Sequence, residues 1–63
     1  MSKITIIKGN YAGYKIKIDN TLAQQLPSLD LAKERAKTLA QKYNQTSIEI
    51  FDEDQELIEN YIL

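Results

Sequence analysis

Cysteine, histidine, tryptophan and valine are all missing from these 63 residues, and proline, phenylalanine and arginine each occur once. Without cysteine there is no disulfide, no thiolate nucleophile and no zinc–sulfur site. Without histidine the usual neutral-pH proton shuttle, also the commonest metal ligand, is gone. No run of aliphatic side chains exceeds two residues, which excludes a membrane-spanning helix and the apolar stretch of a signal peptide. The chain therefore reads as cytoplasmic. A chain of this length makes one domain, residues 1–63, and buries only about 60% of the surface its unfolded form exposes.

What is present is skewed. Nine Ile and seven Leu supply most of the apolar mass, and seven Lys stand against the single Arg35. Ile, Lys, Asn and Tyr have A/T-rich codons, which points to a low-GC bacterium, or to a phage or plasmid it carries. Lysine is a hydrated point charge and a poorer bidentate reader of guanine and phosphate than arginine. The net charge of −1 conceals a polarity along the chain. Lys3, Lys8, Lys15 and Lys17 make the first eighteen residues purely basic, whereas Glu49, Asp52, Glu53, Asp54, Glu56 and Glu59 make the last fifteen purely acidic.

Lys3 to Lys8 reads K-I-T-I-I-K and Tyr14 to Ile18 reads Y-K-I-K-I, two β-branched segments joined by G-N-Y-A-G. Alternation predicts a hairpin with a five-residue loop. Its register sets Lys8 against Tyr14, Ile6 against Ile16 and Ile4 against Ile18, with these four isoleucines and Tyr14 on the buried face. Lys3, Thr5, Ile7, Lys15 and Lys17 take the other face. Asp19 and Asn20 end the second strand. The segment from Thr21 to Pro27 reads either as a short helical turn capped by Thr21, from the Leu22–Leu26 spacing, or as an irregular strap across the core edge. Pro27 disfavours helical backbone at Leu26 and so excludes a continuous helix from residue 21.

The main helix begins at an N-cap supplied by Ser28 or Asp30. Leu29, Ala32, Ala36, Leu39 or Ala40, and Tyr43 form its apolar stripe, and Asn44 is its stop. A last hairpin follows. Ile48 and Ile50 point inward, Glu49 and Phe51 outward, and the acidic Asp52–Gln55 segment turns the chain. A two-residue turn at Glu53-Asp54 sets Leu57 against Ile50 and Ile58 against Glu49. A three-residue turn sets Glu49 against Glu59, a like-charge pair that costs stability, so the first register is preferred. The expected fold class is α+β, with ββαββ order and a four-stranded, mostly antiparallel sheet carrying one helix on one face.

Gly13, Tyr14, Lys15, Ile16 and Lys17 resemble the Gly-aromatic-x-Val/Ile-Lys second strand of a family of short, uncharacterised bacterial ββαββ proteins, a domain of unknown function. Ala32 to Ala40 is similar to that family's Ala-rich helix. Ile48 to Phe51, a polar turn and Leu57 look like its closing hairpin. The resemblance implies the same fold. It implies no activity, because the family has none established.

Three kinds of site are read from the residues. The run Asp52, Glu53, Asp54 and Glu56 suggests calcium, but a calcium loop of the EF-hand type needs a central Gly and a bidentate Glu at its twelfth position. Here there is no Gly, and the twelfth position from Asp52 is Leu63. The run reads as a solvated turn, and no metal or other cofactor is expected. Lys3, Lys15 and Lys17, with Tyr11 at the loop tip as a stacking aromatic, make a nucleic-acid surface the alternative reading; the acidic pI of about 5.2 opposes it. Catalysis has no nucleophile, base or cofactor signature behind it, so the chain is not expected to be an enzyme.

One helix can cover only one side of a sheet. The other side is expected to present Ile7, Phe51 and Ile58 as an apolar centre, with Lys15, Lys17, Glu49 and Glu56 at its rim. A contiguous patch of that kind marks a binding surface. Covering it also helps a domain that has no disulfide or metal to reinforce a small core. The expected function is that of a small protein-interaction module, with a protein partner or a second copy of itself on this face.

Overall fold

The computed structural model describes residues 3–9, 11 and 13–63. Strands β1 (Ile4–Lys8), β2 (Tyr14–Ile18) and β3 (Thr21–Leu26) precede helix α1 (Leu29–Lys42), and β4 (Ser47–Phe51) and β5 (Leu57–Ile62) follow it. The α+β class holds, but the sheet has five strands in the order β3-β2-β1-β4-β5, and β1 and β4 run parallel. The expected four-stranded ββαββ sheet is thus corrected to a mixed sheet in βββαββ order.

The extra strand comes from the Thr21–Pro27 segment, which is neither a helical turn nor a strap. Asp19 and Asn20 take φ of 51° and 69°, and Ile18 pairs with Thr21. A two-residue turn with both φ positive matches the twist of its strands, and short Asx side chains tolerate that backbone. The chain therefore doubles back at once as an edge strand. A bulge shifts the register between Ile16 and Lys17, so Leu22 lies beside Lys17 while Leu26 lies beside Tyr14, on opposite faces. The four-residue spacing that suggested a helix spans that bulge. Asp19 also ties off the strand ends: the Lys3 amide donates to its Oδ1 at 2.8 Å, and its own amide donates to the Lys3 carbonyl at 3.0 Å.

The first hairpin has the expected register, Ile4 with Ile18, Ile6 with Ile16 and Lys8 with Tyr14. Gly13 closes its loop with φ of 105°, and a Cβ there would lie 3.0 Å from the Leu26 carbonyl oxygen. Glycine is required on both counts.

Since β2 is antiparallel to both β1 and β3, β3 runs in the same direction as β1 and β4. Helix α1 must then carry the chain from edge strand β3 over β2 and β1 to β4. It packs against β1 through β4. Ser28 is its N-cap, with Oγ accepting from the Leu31 amide at 3.3 Å. Asn44, at φ 59°, ends it; the Asn44 amide donates to Gln41 at 3.3 Å and the Gln45 amide to Ala40 at 2.7 Å, which satisfies the last carbonyls. Ala32, Ala36 and Ala40 are fully buried against Ile4, Ile6, Ile16, Ile48 and Ile50. Leu29, Leu39, Tyr14, Ile18, Leu26 and Tyr61 pack around them. Small side chains on the helix and branched ones on the sheet let the two layers approach closely. Among the described residues, no helix is long and apolar enough to cross a membrane.

Gly13→Ala is expected to cost about 1–3 kcal/mol, from the left-handed backbone and the close carbonyl together. Urea unfolding measures it, and a loss under about 0.5 kcal/mol would show that the loop relaxes freely.

Candidate functional site

Strand alternation sends Ile4, Ile6, Ile16, Ile48 and Ile50 to the helix and Thr5, Ile7, Lys15, Lys17, Glu49 and Phe51 to the opposite face. All six of the latter are only partly buried, and no other element of the described residues crosses that face. The register arranges it in two rows. One runs Leu22–Lys17–Thr5–Glu49–Asn60, the other Gln25–Lys15–Ile7–Phe51–Leu57. The parallel β1–β4 pair makes Ile7 and Phe51 direct neighbours, which neither hairpin alone could arrange. A shallow depression of about 420 Å³ lies here, lined by Lys3, Thr5, Ile7, Asp19, Asn20, Phe51 and Gln55.

The second hairpin departs from the expected register. Gln55, at φ 64°, completes a three-residue loop in which the Asp52 amide donates to the Glu56 carbonyl at 2.9 Å and the Gln55 amide to the Asp52 carbonyl at 3.0 Å. Phe51 therefore pairs with Leu57, not Ile50 with Leu57. Continued without a break, that register sets Glu49 against Glu59, the unfavourable pair the sequence warns of. A bulge prevents it: beyond Phe51 the pairing steps by one, so that Ile50 meets Glu59 and Glu49 meets Asn60. Glu59 then turns to the helix side, where Lys33 Nζ donates to both of its carboxylate oxygens at 3.3 Å. The same ammonium lies 5.0 Å from the Tyr61 ring centroid.

Leu57 is thus the member of β5 paired with Phe51, and sequence reasoning missed it. Ile58, the extra residue of the bulge, shares strand parity with Asn60 and Ile62 and widens the apolar area on the same face. Leu57, Ile58 and Ile62 are 53%, 56% and 67% exposed. Of the expected partner set, Ile7, Lys15, Lys17, Glu49 and Phe51 are contiguous. Glu56 sits just outside β5, at the base of the loop. The signal for Leu57 was the Asx pattern at Asp52, whose Oδ1 accepts from the Asp54 and Glu56 amides at 2.9 Å each and so sets the loop length.

Charges from the two ends of the chain meet across the sheet. Lys3 pairs with Glu49, whose Oε1 is buried and meets the ammonium as a charge contact without an aligned hydrogen bond. Lys8 Nζ lies 3.5 Å from Glu53. The residues of the nucleic-acid alternative do not form one cluster. Lys3 is at the start of β1 and engaged by Glu49, whereas Tyr11, 92% exposed, lies in the loop beyond its far end. Lys3 borders the depression beside Thr5, Ile7 and Phe51, and Lys15 and Lys17 flank the same face, so Tyr11 is the member of that set that stands apart.

The carboxylates of Asp52, Glu53 and Asp54 come within 4.8 Å of one another. Asp52 spends Oδ1 on the two loop amides, which gives this group a structural role. Between α1 and β5 a second concavity is lined by Asp30, Lys33, Glu34, Lys37, Thr38, Gln41 and Tyr61, with charges of both signs.

Comparison with protein-family models finds no matching family, and searches of curated proteins and of solved structures find no match either.

Asp52→Ala is expected to cost about 1 kcal/mol by stranding two loop amides, while Asp52→Asn, which keeps the accepting oxygen, stays within a few tenths of the parent. Thermal unfolding of the two variants distinguishes them; equal losses would tie the effect to charge instead of to the accepted hydrogen bonds.

Proposed function

We propose that this protein is a small cytoplasmic, non-enzymatic interaction module of bacterial or phage origin that binds a protein partner through the face of the sheet opposite α1. The observation that carries the reading is the continuous row Lys15–Ile7–Phe51–Leu57 on that face. Apolar side chains at the centre of a patch and charges at its rim are the usual anatomy of a protein contact surface, with the charges setting orientation more than affinity. The implied partner surface is apolar at its middle and carries both signs of charge around it. The edges of the sheet are less suited to the task. β5 carries a bulge and Glu59, and β3 is bulged and followed directly by Pro27, features that discourage strand addition.

The alternative of nucleic-acid binding loses support from the ion pairs of Lys3 and Lys8, which neutralise half of the N-terminal lysines. Phosphate binding draws on uncompensated charge and weakens steeply with salt.

A photo-crosslinking residue in place of Phe51, expressed in the native host, is expected to give a discrete protein adduct that the same residue at Arg35, on the exposed side of α1, does not. Lys17→Glu, on the same face, should weaken that adduct. Equal labelling from positions 51 and 35, or adducts to nucleic acid alone, would overturn the reading.

A further inference from the structure

We infer that the occupant of this face is a second copy of the same chain, packed sheet to sheet about a two-fold axis that runs along the strands over β1. The inference rests on the interaction reading above and narrows it to one partner. Its basis is the arrangement of charge. Lys15 and Lys17 stand on β2, one strand to one side of β1, and Glu49 stands on β4, one strand to the other side. Lys17 and Glu49 also lie in the same row, since each pairs with Thr5.

An axis along the strands exchanges left and right but leaves height unchanged. It lays β2 of each copy over β4 of the other, and Lys17 of each copy joins the Glu49 of the other, a carboxylate that Lys3 of its own chain already holds on one side. By the same operation Lys15 of each copy crosses Phe51 of the other, where its stem covers the ring and its ammonium can sit over the ring face. Ile7 meets its own counterpart at the centre. An axis across the strands keeps each strand over itself, setting the lysines of β2 on the lysines of β2, which repel. Of these two ways of closing the face on itself, charge selects one. Self-complementarity of this kind is what a two-fold interface requires.

Area sets the strength. Five strands about 4.8 Å apart and five residues of about 3.3 Å rise present roughly 400 Å² per copy, or about 800 Å² in total. That lies below the roughly 1,200 Å² of a stable specific interface, so the dimer is weak and concentration-dependent.

The test is a charge exchange read by sedimentation equilibrium of the purified full chain. Wild type should self-associate toward millimolar concentration. Lys17→Glu and Glu49→Lys should each weaken association by about tenfold or more, because each sets like charges in both symmetric contacts. An equimolar mixture of the two variants should recover a one-to-one dimer, since every contact in the mixed pair is again opposite in sign. Chemical-shift changes on dilution of the wild type should fall at residues 5, 7, 15, 17, 49 and 51 and spare the outer side of α1, which decides the matter even if Glu49→Lys fails to fold. A wild type that stays monomeric at millimolar concentration, or a mixture of folded variants that does not recover, would overturn the inference. If specific crosslinking from position 51 to another protein persisted in that case, the interaction reading would stand and only the identity of the partner would fall.

Discussion

The parallel pairing of β1 with β4 is the constraint on which everything else in this small structure depends. Two β-hairpin systems, one at each end of the chain, have no reason of their own to meet. The three matched positions Thr5 with Glu49, Ile6 with Ile50 and Ile7 with Phe51 join them into one sheet. Parallel strands need a crossover, and here the crossover is α1, which must pass over β2 and β1 to reach β4. The helix is thereby placed over the middle of the sheet, where Ala32, Ala36 and Ala40 seal five isoleucines from water. The same path leaves the opposite face without a covering element among the described residues.

Charge follows the same joint. The basic first strand and the acidic last segment would each repel itself if left apart. Brought alongside, they form the Lys3–Glu49 and Lys8–Glu53 pairs across the seam. Such exposed or half-exposed pairs contribute about 0–1 kcal/mol each, so they favour the correct alignment of two ribbons more than they stabilise the fold. The bulge in β5 belongs to this pattern. It gives up the burial of Ile58 on the helix side, keeps Glu59 away from Glu49 and delivers Glu59 to Lys33.

The first hairpin and the helix were legible because their determinants are local. Alternation from Ile4 to Ile18 turns four isoleucines toward the helix, Ser28 caps that helix with its own hydroxyl, and Asn44 takes the left-handed backbone that ends it. Strand β3 was hidden by a coincidence of spacing. Leu22 and Leu26 stand four apart, as on a helix, yet a bulge sends them to opposite faces of a strand; the stronger sign was Asp19-Asn20, a pair suited to a tight two-residue turn. In the second hairpin the repulsion between Glu49 and Glu59 was read correctly, but the remedy was not. The chain relieves it with an inserted residue, whereas a shorter turn was expected, because Asp52 holds the loop at three residues by accepting from two of its amides.

The face of the sheet opposite the helix divides in the same way. That Ile7, Lys15, Lys17, Glu49 and Phe51 point away from the helix follows from the period of two in each strand, a property of the backbone that needs no knowledge of neighbours. That Ile7 lies beside Phe51, that Leu57 extends their row and that lysines and Glu49 flank β1 on opposite sides depend on strand order and on the bulge in β5. Alternation tells each side chain which face to take, but only the pairing of strands far apart in the chain decides which side chains share it as neighbours.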